Sequence, residues 1–490
     1  MARKKPNILW YCTDQQRYDT IHSLGNPHIN TPNLDRLKQG GVAFTRAYAQ
    51  SPICTPSRAS FLTGRYPATT HVHRNGNAYF PPGETLVTKL FEEAGYECGL
   101  IGKLHLASAA KGVESRTNDG YGFFEWSHDP LPPDVPESNA FHRWLADEKG
   151  VTAADMYKYC KRFCCAGMPP EHHQTTWATD RAIDFIDEHP DQPWLLSINV
   201  FDPHPPFDPP QAYLDRYDPE TLPPPLFRPS DIDRQADFSE VSQQATVAVD
   251  PNSDAPPDTN TRNTATIPPK SFNGQKIKAA YYAMIELIDT EFGRLIDHLE
   301  AIGQLDDTII VFHSDHGELL GDHGLLYKGC RFFEGLVHVP MIFSWRGRFA
   351  ADLTADALVE LVDIAPTLLE AAELPVPGFM QGKSLLGILE GTNPAAHHKD
   401  VVVSEFNDAL GSNENPKPTH ATMSFDGRYK TIVYHGLDLG EIFDLKVDPG
   451  EFVNLWTDAR HAELKHQLIL RHLDAVMATS SAGIERVGRY

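Results

Sequence analysis

The chain is predicted to be an α/β protein, with a large, mostly parallel β-sheet flanked by helices and a smaller C-terminal α+β subdomain that contains a short antiparallel sheet. Short apolar runs of strand length alternate with helical patterns along most of the chain. The apolar runs are residues 7–12, 96–101, 194–200, 308–312 and 341–344. Strands that alternate with helices are typical of parallel sheets, which place functional side chains at the carboxyl ends of their strands.

Helical patterns fill the intervals between these runs. A helix is predicted over 84–95, and another over 174–189 stops before Pro190. The clearest helix spans 275–302, where apolar residues repeat on one face and Gly303 ends the pattern. Residues 152–163 form a weaker helical pattern. A further helix is predicted to be capped by Asp363, with a proline in its first turn.

The length of 490 residues predicts one large domain and one smaller domain, because a single ordinary core rarely grows so large. The first domain is predicted to cover residues 1–395. Within it, residues 203–272 are rich in proline and then in small polar residues, which predicts an insertion near the mouth of a site. Residues 396–490 form the second domain, with short strands followed by a terminal helix over about 459–477.

Composition excludes several partners. The formal net charge of −23 argues against general binding to nucleic acid or to anionic membranes. No run of about 20 apolar residues is present, so no membrane span is expected. Seven cysteines without framework spacing predict mostly reduced thiols, and a metal site at Cys160, Cys164 and Cys165 is disfavoured. Without a signal-peptide pattern the chain is expected to be cytoplasmic, or exported if a signal peptide was trimmed.

Four of the apolar runs end in residues that can carry chemistry. They deliver Asp14 with Gln15, Lys103 with His105, His204, and Asp315 with His316. Each has an ordinary alternative: Asp14 suits a helix cap, the lysine and histidine suit a surface, and His204 between prolines suits a turn. Because the carboxyl ends of parallel strands share one edge, the four groups together predict a site there.

A fifth group lies at the start of a predicted helix. Cys54 precedes Pro56, which suits the first turn, and Gly64 offers a stop. Free backbone N–H groups and the helix dipole would favour an anion at Cys54, with Arg58 about one turn further on. The setting suits a nucleophile that attacks an anionic substrate, and it equally suits an inert buried thiol.

The order of residues in this stretch favours the nucleophile over the inert thiol. Cys54-x-Pro56-Ser57-Arg58 followed by Thr63-Gly64-Arg65 resembles the signature of the type I, formylglycine-dependent sulfatases of the alkaline phosphatase superfamily. The resemblance implies an alkaline-phosphatase-like main fold and the conversion of Cys54 to Cα-formylglycine by a maturation enzyme. The hydrated aldehyde would then be the nucleophile. Matching motifs follow in the family's order from residue 7 to residue 455.

The resemblance also implies a role for each residue of the predicted site. Gln15 departs from the family, which has a second acidic residue there, and so removes one negative charge. Ca²⁺ is the expected cation, with Mn²⁺ or Mg²⁺ open because of the histidine ligand. Lys103 and Lys328 would bind sulfate, Arg58 would anchor the nucleophile, His204 would face the substrate, and His105 would take a proton when the covalent sulfate ester breaks down. The implied metal ligands are Asp14, Gln15, Cys54, Asp315 and His316.

The predicted function is hydrolysis of a small anionic sulfate ester, with a sulfated carbohydrate as the first expectation. The alternative is a phosphonate monoester or phosphodiester hydrolase of the same superfamily, because those relatives carry the same Asp-Gln and Asp-His pairs. An inactive binding protein with this fold is a third alternative, but it would be expected to lack Cys54 or a metal ligand. The alcohol part of the substrate is left open, and a homo-oligomer is among the expectations.

Overall fold

The fold is built on one large sheet. The computed structural model describes residues 5–109, 112–129, 139–156, 163–239, 241, 247–253, 268–408 and 418–480. Among these residues, eight strands form a sheet in the order β10-β2-β9-β7-β1-β6-β4-β5. All neighbours pair in parallel except β9, which runs antiparallel to both β2 and β7. The predicted large, mostly parallel sheet is therefore confirmed.

The strands and helices of the described residues have the following bounds. The strands are β1 Asn7–Thr13, β2 Gly41–Phe44, β3 Ala47–Tyr48, β4 Glu97–Gly102, β5 Phe123–Trp126, β6 Trp194–Asn199, β7 Thr308–Ser314, β8 His338–Val339, β9 Met341–Ser344, β10 Leu353–Ala355, β11 Val359–Glu360, β12 Val402–Asp408, β13 Thr419–Phe425, β14 Tyr429–Tyr434 and β15 Leu439–Asp444. The helices are α1 Pro32–Gln39, α2 Cys54–Thr63, α3 Pro67–Thr70, α4 Val87–Glu93, α5 Ala140–Glu148, α6 Ala153–Met156, α7 Gln174–Glu188, α8 Gln211–Leu214, α9 Ser230–Ala236, α10 Gly274–Ala301, α11 Glu334–Val337, α12 Ile364–Ala371, α13 Leu386–Leu389 and α14 Ala462–Ala478.

The central strand β1 is buried on both faces, which explains its continuous apolar sequence. On one face, Trp10 contacts Phe61 of α2, with ring centroids 5.6 Å apart. On the other face, Tyr11 makes an edge contact with Phe292 of α10, at 5.4 Å. Successive side chains of a strand point to opposite faces, so β1 anchors helix α2 on one side and helix α10 on the other.

The four strands that carry the predicted site residues are consecutive in the sheet. Their order is β7-β1-β6-β4, and the register aligns their carboxyl ends. Cys12 of β1 pairs with His313 of β7 and with Asn199 of β6, which in turn pairs with Gly102 of β4. The residues that follow each strand therefore emerge side by side at one edge, as the sequence predicts.

The C-terminal part forms a second sheet. Strands β12, β13, β14 and β15 pair in antiparallel order. Helix α14 lies against it, where the His472 ring contacts Thr422 Oγ1 at 2.8 Å and Ser424 Oγ at 2.9 Å. This confirms the predicted α+β arrangement of the C-terminal part. The boundary at residue 395 stays a prediction.

Two local predictions differ from the structure. Helix α4 begins at Val87 rather than at 84, and Glu84 forms an ion pair with Arg65 at 3.2 Å. Asp363 precedes α12 but its side chain does not cap that helix. It accepts from the backbone N–H of Glu360 at 3.0 Å and of Lys383 at 2.8 Å, and so it caps the preceding 3₁₀ turn.

Two predicted segments are only partly described. Of the predicted helix 152–163, residues 153–156 form α6, and 157–162 lie outside the described residues together with Cys160. The described part of 203–272 contains α8 and α9, and it contacts the loop after β7. In that contact the Leu226 N–H donates to Asp322 at 2.8 Å. Its predicted role as an insertion at the mouth of the site stays a prediction.

Most of the described cysteines are outside disulfides, as the composition predicts. Cys12, Cys54, Cys98, Cys164 and Cys330 are not in disulfides, and Cys165 is disulfide-bonded. A cysteine in a disulfide cannot supply a thiolate ligand, so Cys165 is not available as a metal ligand. Within the described ranges, every helix is too short or too polar to cross a bilayer.

Candidate active site

The two strand-end carboxylates lie at the bottom of a buried site. Asp14 and Asp315 are both fully buried at the ends of β1 and β7. The backbone N–H of Gln15 donates to Asp315 Oδ1 at 3.0 Å, and the N–H of His316 donates to the same oxygen at 2.9 Å. These bonds hold the two strand ends together and orient the Asp315 carboxylate.

Helix α2 delivers Cys54 to these carboxylates. Cys54 is the first residue of the helix and is 1% exposed, and Gly64 ends the helix with φ of 67°. The Sγ atom lies 3.6 Å from Asp14 Oδ1 and 3.2 Å from His316 Nε2. The Ser57 hydroxyl donates to the Asp315 carbonyl at 2.5 Å, which ties the first turn of the helix to β7. The predicted helix and its stop are confirmed.

Three cations surround the carboxylates and the thiol. Lys103 Nζ bonds to Asp14 Oδ2 and lies 3.7 Å from Cys54 Sγ. Lys328 Nζ lies 2.9 Å from the same sulfur. The resemblance assigns Arg58 to the nucleophile, and in the structure its guanidinium contacts Asp315 at 2.9 Å and Asp14 at 3.5 Å. Arg58 therefore contacts the two carboxylates beside Cys54, and its role toward the nucleophile stays a prediction.

The backbone after β4 explains how Lys103 reaches this position. Gly102 has φ of 95°, and a Cβ atom there would lie 2.0 Å from the Asn199 carbonyl oxygen. Only glycine fits this close approach to β6. The Lys103 N–H donates to the same carbonyl at 3.0 Å, and the Lys103 carbonyl accepts from Arg58 at 3.0 Å.

The residues at the strand ends can hold a divalent cation. One ligand atom from each of Asp14, Cys54, Asp315 and His316 falls within a cluster no more than 4.8 Å across. The Nδ1 atom of His316 lies 2.8 Å from the Gly317 carbonyl, so the ring presents Nε2 to the cluster. Two carboxylates, an imidazole and the nearby amide oxygen of Gln15 suit a hard or borderline cation.

The electrostatics favour negative charge at Asp14 and Cys54. Burial by itself raises both pKa values, but the neighbouring cations outweigh it. Lys103, with Lys328 and Arg58, holds the pKa of Asp14 well below its ordinary value. Burial and Asp14 oppose ionisation of Cys54, yet Lys103, Lys328 and His316 lower the pKa of its thiol. The site is therefore built to hold an anion at the position of Cys54.

The two predicted histidines are neutral at physiological pH. Burial, with Lys103, lowers the pKa of His105 well below its ordinary value. Burial, with Lys328, does the same for His204. The Nδ1 atom of His204 lies 2.7 Å from the Pro205 carbonyl. A neutral imidazole has one N–H group and one unprotonated nitrogen, and Lys103 and Lys328 disfavour a positive charge on these rings.

The loop that carries His105 is held by Glu114, a residue that sequence reasoning missed. The Glu114 carboxylate accepts the N–H groups of His105 at 2.7 Å, Leu106 at 2.7 Å and Ala107 at 3.0 Å. It also accepts from Trp126 Nε1 at 3.0 Å. No motif marks Glu114, because its partners lie on a loop and on β5 rather than beside it in sequence.

Two further residues of the site were also missed. His128 follows β5 and makes an edge contact with His105, with ring centroids 4.5 Å apart. Burial and Lys103 lower the pKa of His128 to about 3. Glu318 is fully buried and accepts from Gln15 Nε2, and burial raises its pKa against the opposing effect of its donors. The Asp-His-Gly-Glu run at 315–318 was the available signal for Glu318.

All the sequence-predicted site residues meet at this edge of the sheet. Asp14 contacts Lys103, the backbone N–H groups of Gln15 and His316 contact Asp315, and Lys328 joins them from the loop after β7. His105 and His204 lie close enough for Lys103 and Lys328 to shift their pKa values. The roles of the individual residues stay predictions.

Comparisons with known proteins agree with this arrangement. A family model described as sulfatase matches residues 6–374, and a model described as N-sulphoglucosamine sulphohydrolase, C-terminal, matches residues 321–477. An arylsulfatase of Clostridium perfringens is 30% identical over 476 residues, which cover 94% of this chain and 92% of that protein.

Solved structures show the same fold. The phosphonate monoester hydrolase of Agrobacterium radiobacter superposes with a TM-score of 0.79 at 25% identity, covering 97% of this chain and 96% of that one. A phosphonate monoester hydrolase from Silicibacter pomeroyi gives a TM-score of 0.78 at 25% identity, with coverage of 97% and 96%.

Fold and site together define a hydrolase of the alkaline phosphatase superfamily. The chain belongs to the sulfatase family, since the family model spans most of its length and the arylsulfatase aligns over nearly all of it. It is a sulfuric ester hydrolase.

Proposed function

We propose that this chain hydrolyses a small organic sulfate ester to an alcohol and inorganic sulfate, with Cys54 matured to formylglycine as the nucleophile. The observation that supports this most is the position of Cys54. Its sulfur lies 2.9 Å from Lys328 Nζ and 3.6 Å from an Asp14 oxygen, at the start of a buried helix. The cysteine sulfur stands where the matured residue would present oxygen. A maturation enzyme is the implied partner.

Asp14, Gln15, Asp315, His316 and the matured residue 54 would hold one divalent cation, with Ca²⁺ first and Mn²⁺ or Mg²⁺ open. When bound, the cation supplies Lewis-acid polarisation of a sulfate oxygen and lowers the pKa of a hydroxyl beside it. The donor set supports this, because it combines carboxylate and amide oxygens with one imidazole nitrogen.

Lys103 and Lys328 would bind the sulfate oxygens. Both ammonium groups lie within 3.7 Å of Cys54 Sγ, so they flank the position that the transferred group would occupy. Preorganised positive charge at this position stabilises the charge of the transferred group without reorganisation. His204 or Lys328 would assist departure of the alcohol, and neutral His105 would take the remaining hydroxyl proton of the matured residue.

A phosphonate monoester or phosphodiester hydrolase is the second candidate. It is favoured by the two solved structures at 25% identity, which are described as phosphonate monoester hydrolases. The Asp14-Gln15 and Asp315-His316 pairs also resemble those relatives. Lys103 and His105 favour the sulfate ester instead, because they match the sulfatase form of the strand end after β4. A sulfated carbohydrate is the first substrate class that we expect.

One panel experiment tests both candidates. Protein matured by a formylglycine-generating enzyme is assayed with sulfated mono- and oligosaccharides, choline sulfate, an aryl sulfate and a phosphonate monoester. We expect the highest kcat/KM for a sulfate ester, and no turnover by Cys54→Ala. Cys98→Ala removes a buried thiol elsewhere and is expected to retain activity. Preferred cleavage of the phosphonate would establish the second candidate, and full activity with unmodified Cys54 by peptide mass spectrometry would refute both.

A further inference from the structure

We propose that Glu318 and Gln15 form a carboxylate–amide pair, in which Glu318 sets the orientation and charge of the Gln15 oxygen that faces the divalent cation. This inference rests on the proposed function, because it assumes a cation held by Asp14, Gln15 and Asp315. It assigns a positioning role to Glu318, which contacts the proposed ligand Gln15 and not the cation itself.

The orientation of the Gln15 amide is determined by its two neighbours. Its Nε2 atom donates to Glu318 Oε2, and its Oε1 atom accepts from Lys328 Nζ at 2.9 Å. A carboxylate on one side and an ammonium on the other leave only one favourable placement of oxygen and nitrogen. The Gln15 oxygen therefore faces the side where Lys328 meets Cys54.

Glu318 is itself held in place by the backbone. Its Oε1 atom accepts the N–H of Leu320 at 3.0 Å and the N–H of Tyr327 at 2.5 Å. Both donors belong to the loop that connects His316 to Lys328. Because Oε1 is already bonded, Oε2 is the atom left for Gln15, and a carboxylate satisfies all three donors at once.

The backbone of Gln15 is locked in a conformation that non-glycine residues rarely adopt. Its φ is 72°, in the left-handed region. The Tyr281 hydroxyl donates to the Gln15 carbonyl at 2.5 Å, and the Gln15 N–H donates to Asp315 at 3.0 Å. Such a conformation persists only where surrounding contacts determine it, and here they aim the side chain at Glu318 and Lys328.

The pair also explains why residue 15 is a glutamine and not an acidic residue. An acidic residue in place of Gln15 would set a second carboxylate against buried Glu318, and the two like charges would repel. With glutamine at position 15, the negative charge remains on Glu318. That charge polarises the Gln15 amide, whose oxygen is the proposed ligand. A carboxylate that accepts an amide N–H makes the carbonyl oxygen more negative, as carboxylates do for metal-bound histidines.

The exchange of the two side chains tests the pair. In Gln15→Glu, two carboxylates face each other and the bond is lost. In Glu318→Gln, the new amide must keep its oxygen on the Leu320 and Tyr327 donors, so its NH₂ faces the NH₂ of Gln15. The double variant Gln15→Glu/Glu318→Gln restores one donor against one acceptor.

The readout is the dissociation constant of Ca²⁺ and of Mn²⁺, each titrated by calorimetry into the metal-stripped, matured protein. We expect each single variant to weaken binding by about tenfold or more, and the double variant to recover to within about threefold of the parent. Glu441→Gln removes a buried carboxylate that pairs with Arg331 at 2.7 Å, and it serves as the control with unchanged affinity.

The outcomes separate this inference from the function on which it rests. If the parent binds neither cation, the proposed cation site fails and the inference fails with it. If the parent binds but Gln15→Glu binds as tightly, or the effects in the double variant simply add, the pair alone is refuted. Should Glu318→Gln fail to fold, the comparison of Gln15→Glu with the parent decides: weaker binding supports the pair, and equal or tighter binding overturns it.

Discussion

The site favours the charged forms of some buried residues and the neutral forms of others. Asp14 and Cys54 are buried, yet three cations favour their charged forms. His105 and His204 are buried beside the same cations, which favour their neutral forms. A single cluster of lysine and arginine side chains thus prepares an anion at residue 54 and proton acceptors around it. The chemistry of each group follows from its neighbours more than from its residue type.

At this scale we predict that His105→Ala slows release of enzyme-bound sulfate more than its formation. His105 is the neutral base in the proposed mechanism, and its loss removes a proton acceptor needed after the alcohol has left. Rapid mixing should show a burst of alcohol of about one equivalent, and intact mass should show retained sulfate. His298→Ala changes a partly exposed histidine that is paired with Asp187, far from the site residues in sequence, and it should behave as the parent. Turnover at the parent rate without a trapped adduct would exclude this role for His105.

Strands and helices contribute to the site through the residues at their ends. The carboxyl ends of four neighbouring strands and the amino end of α2 converge, and each end is held by bonds to another element. The segment after β4 depends most on such support, because three of its backbone N–H groups bond to the single carboxylate of Glu114. Its geometry is therefore set by a side chain rather than by a strand partner.

We predict that Glu114→Gln loosens this segment. An amide offers one acceptor oxygen, so at least one buried N–H group is left unpaired, at a cost of about 1–3 kcal/mol. Hydrogen exchange at residues 105–107 should become faster, and kcat should fall as His105 loses its position. Glu93→Gln on the exposed face of α4 is the control. Unchanged exchange at 105–107 in Glu114→Gln would show that the carboxylate is not needed.

The attachment of α14 should depend on pH. Burial, with His435, lowers the pKa of His472 from 6.5 to about 4. Below pH 6.5 the unfolded chain takes up a proton that the folded chain refuses, so stability falls as pH falls towards 4. Urea unfolding should show that His472→Gln removes about 2 kcal/mol of the loss of stability between pH 7 and pH 5. Equal losses in the parent and the variant would contradict the prediction.

At the scale of the whole molecule, buried ion pairs join the C-terminal sheet to elements that lie outside it. Lys430 of β14 is fully buried and bonds to Glu334 of α11 at 2.6 Å and to Glu451 at 2.8 Å. Glu334 also accepts from Tyr48 of β3 at 3.1 Å. The C-terminal sheet is thus tied to α11 and, through Glu334, to β3, which pairs with β8 and β11 in a separate three-stranded sheet beside the segment that leads into α2. Such a contact couples the stability of the smaller part to the position of the site.

At this scale we predict that Lys430→Ala lowers the free energy of unfolding by about 3–5 kcal/mol, because it leaves two carboxylates buried without their cation. Thermal and urea unfolding measure the loss. Arg428→Ala, two residues earlier, breaks a half-exposed ion pair with Asp444 and should cost much less. Equal losses in the two variants would show that the buried network does not join the C-terminal sheet to α11 and β3.

Much of the fold could be predicted from local patterns. The strands β1, β4, β6 and β7 are continuous apolar runs, α10 has one apolar face, and α2 is bounded by a proline and a glycine. These signals act over a few residues, so they can be recognised without knowing the rest of the chain. The strand-end residues and Cys54 were predicted as one site because parallel strands share an edge.

The remaining features depend on tertiary structure. Glu114, His128 and Glu318 act on residues that other loops and strands bring to them. The bond between Gln15 and Glu318 joins positions 303 residues apart. Asp363 is of a residue type that often caps helices. Its side chain instead accepts hydrogen bonds from the backbone N–H groups of Glu360 and Lys383. The sequence by itself determined which elements form and which residues end them. Which buried donor meets which acceptor was decided only when the elements packed, because hydrogen bonds depend on distance in space and not on separation along the chain.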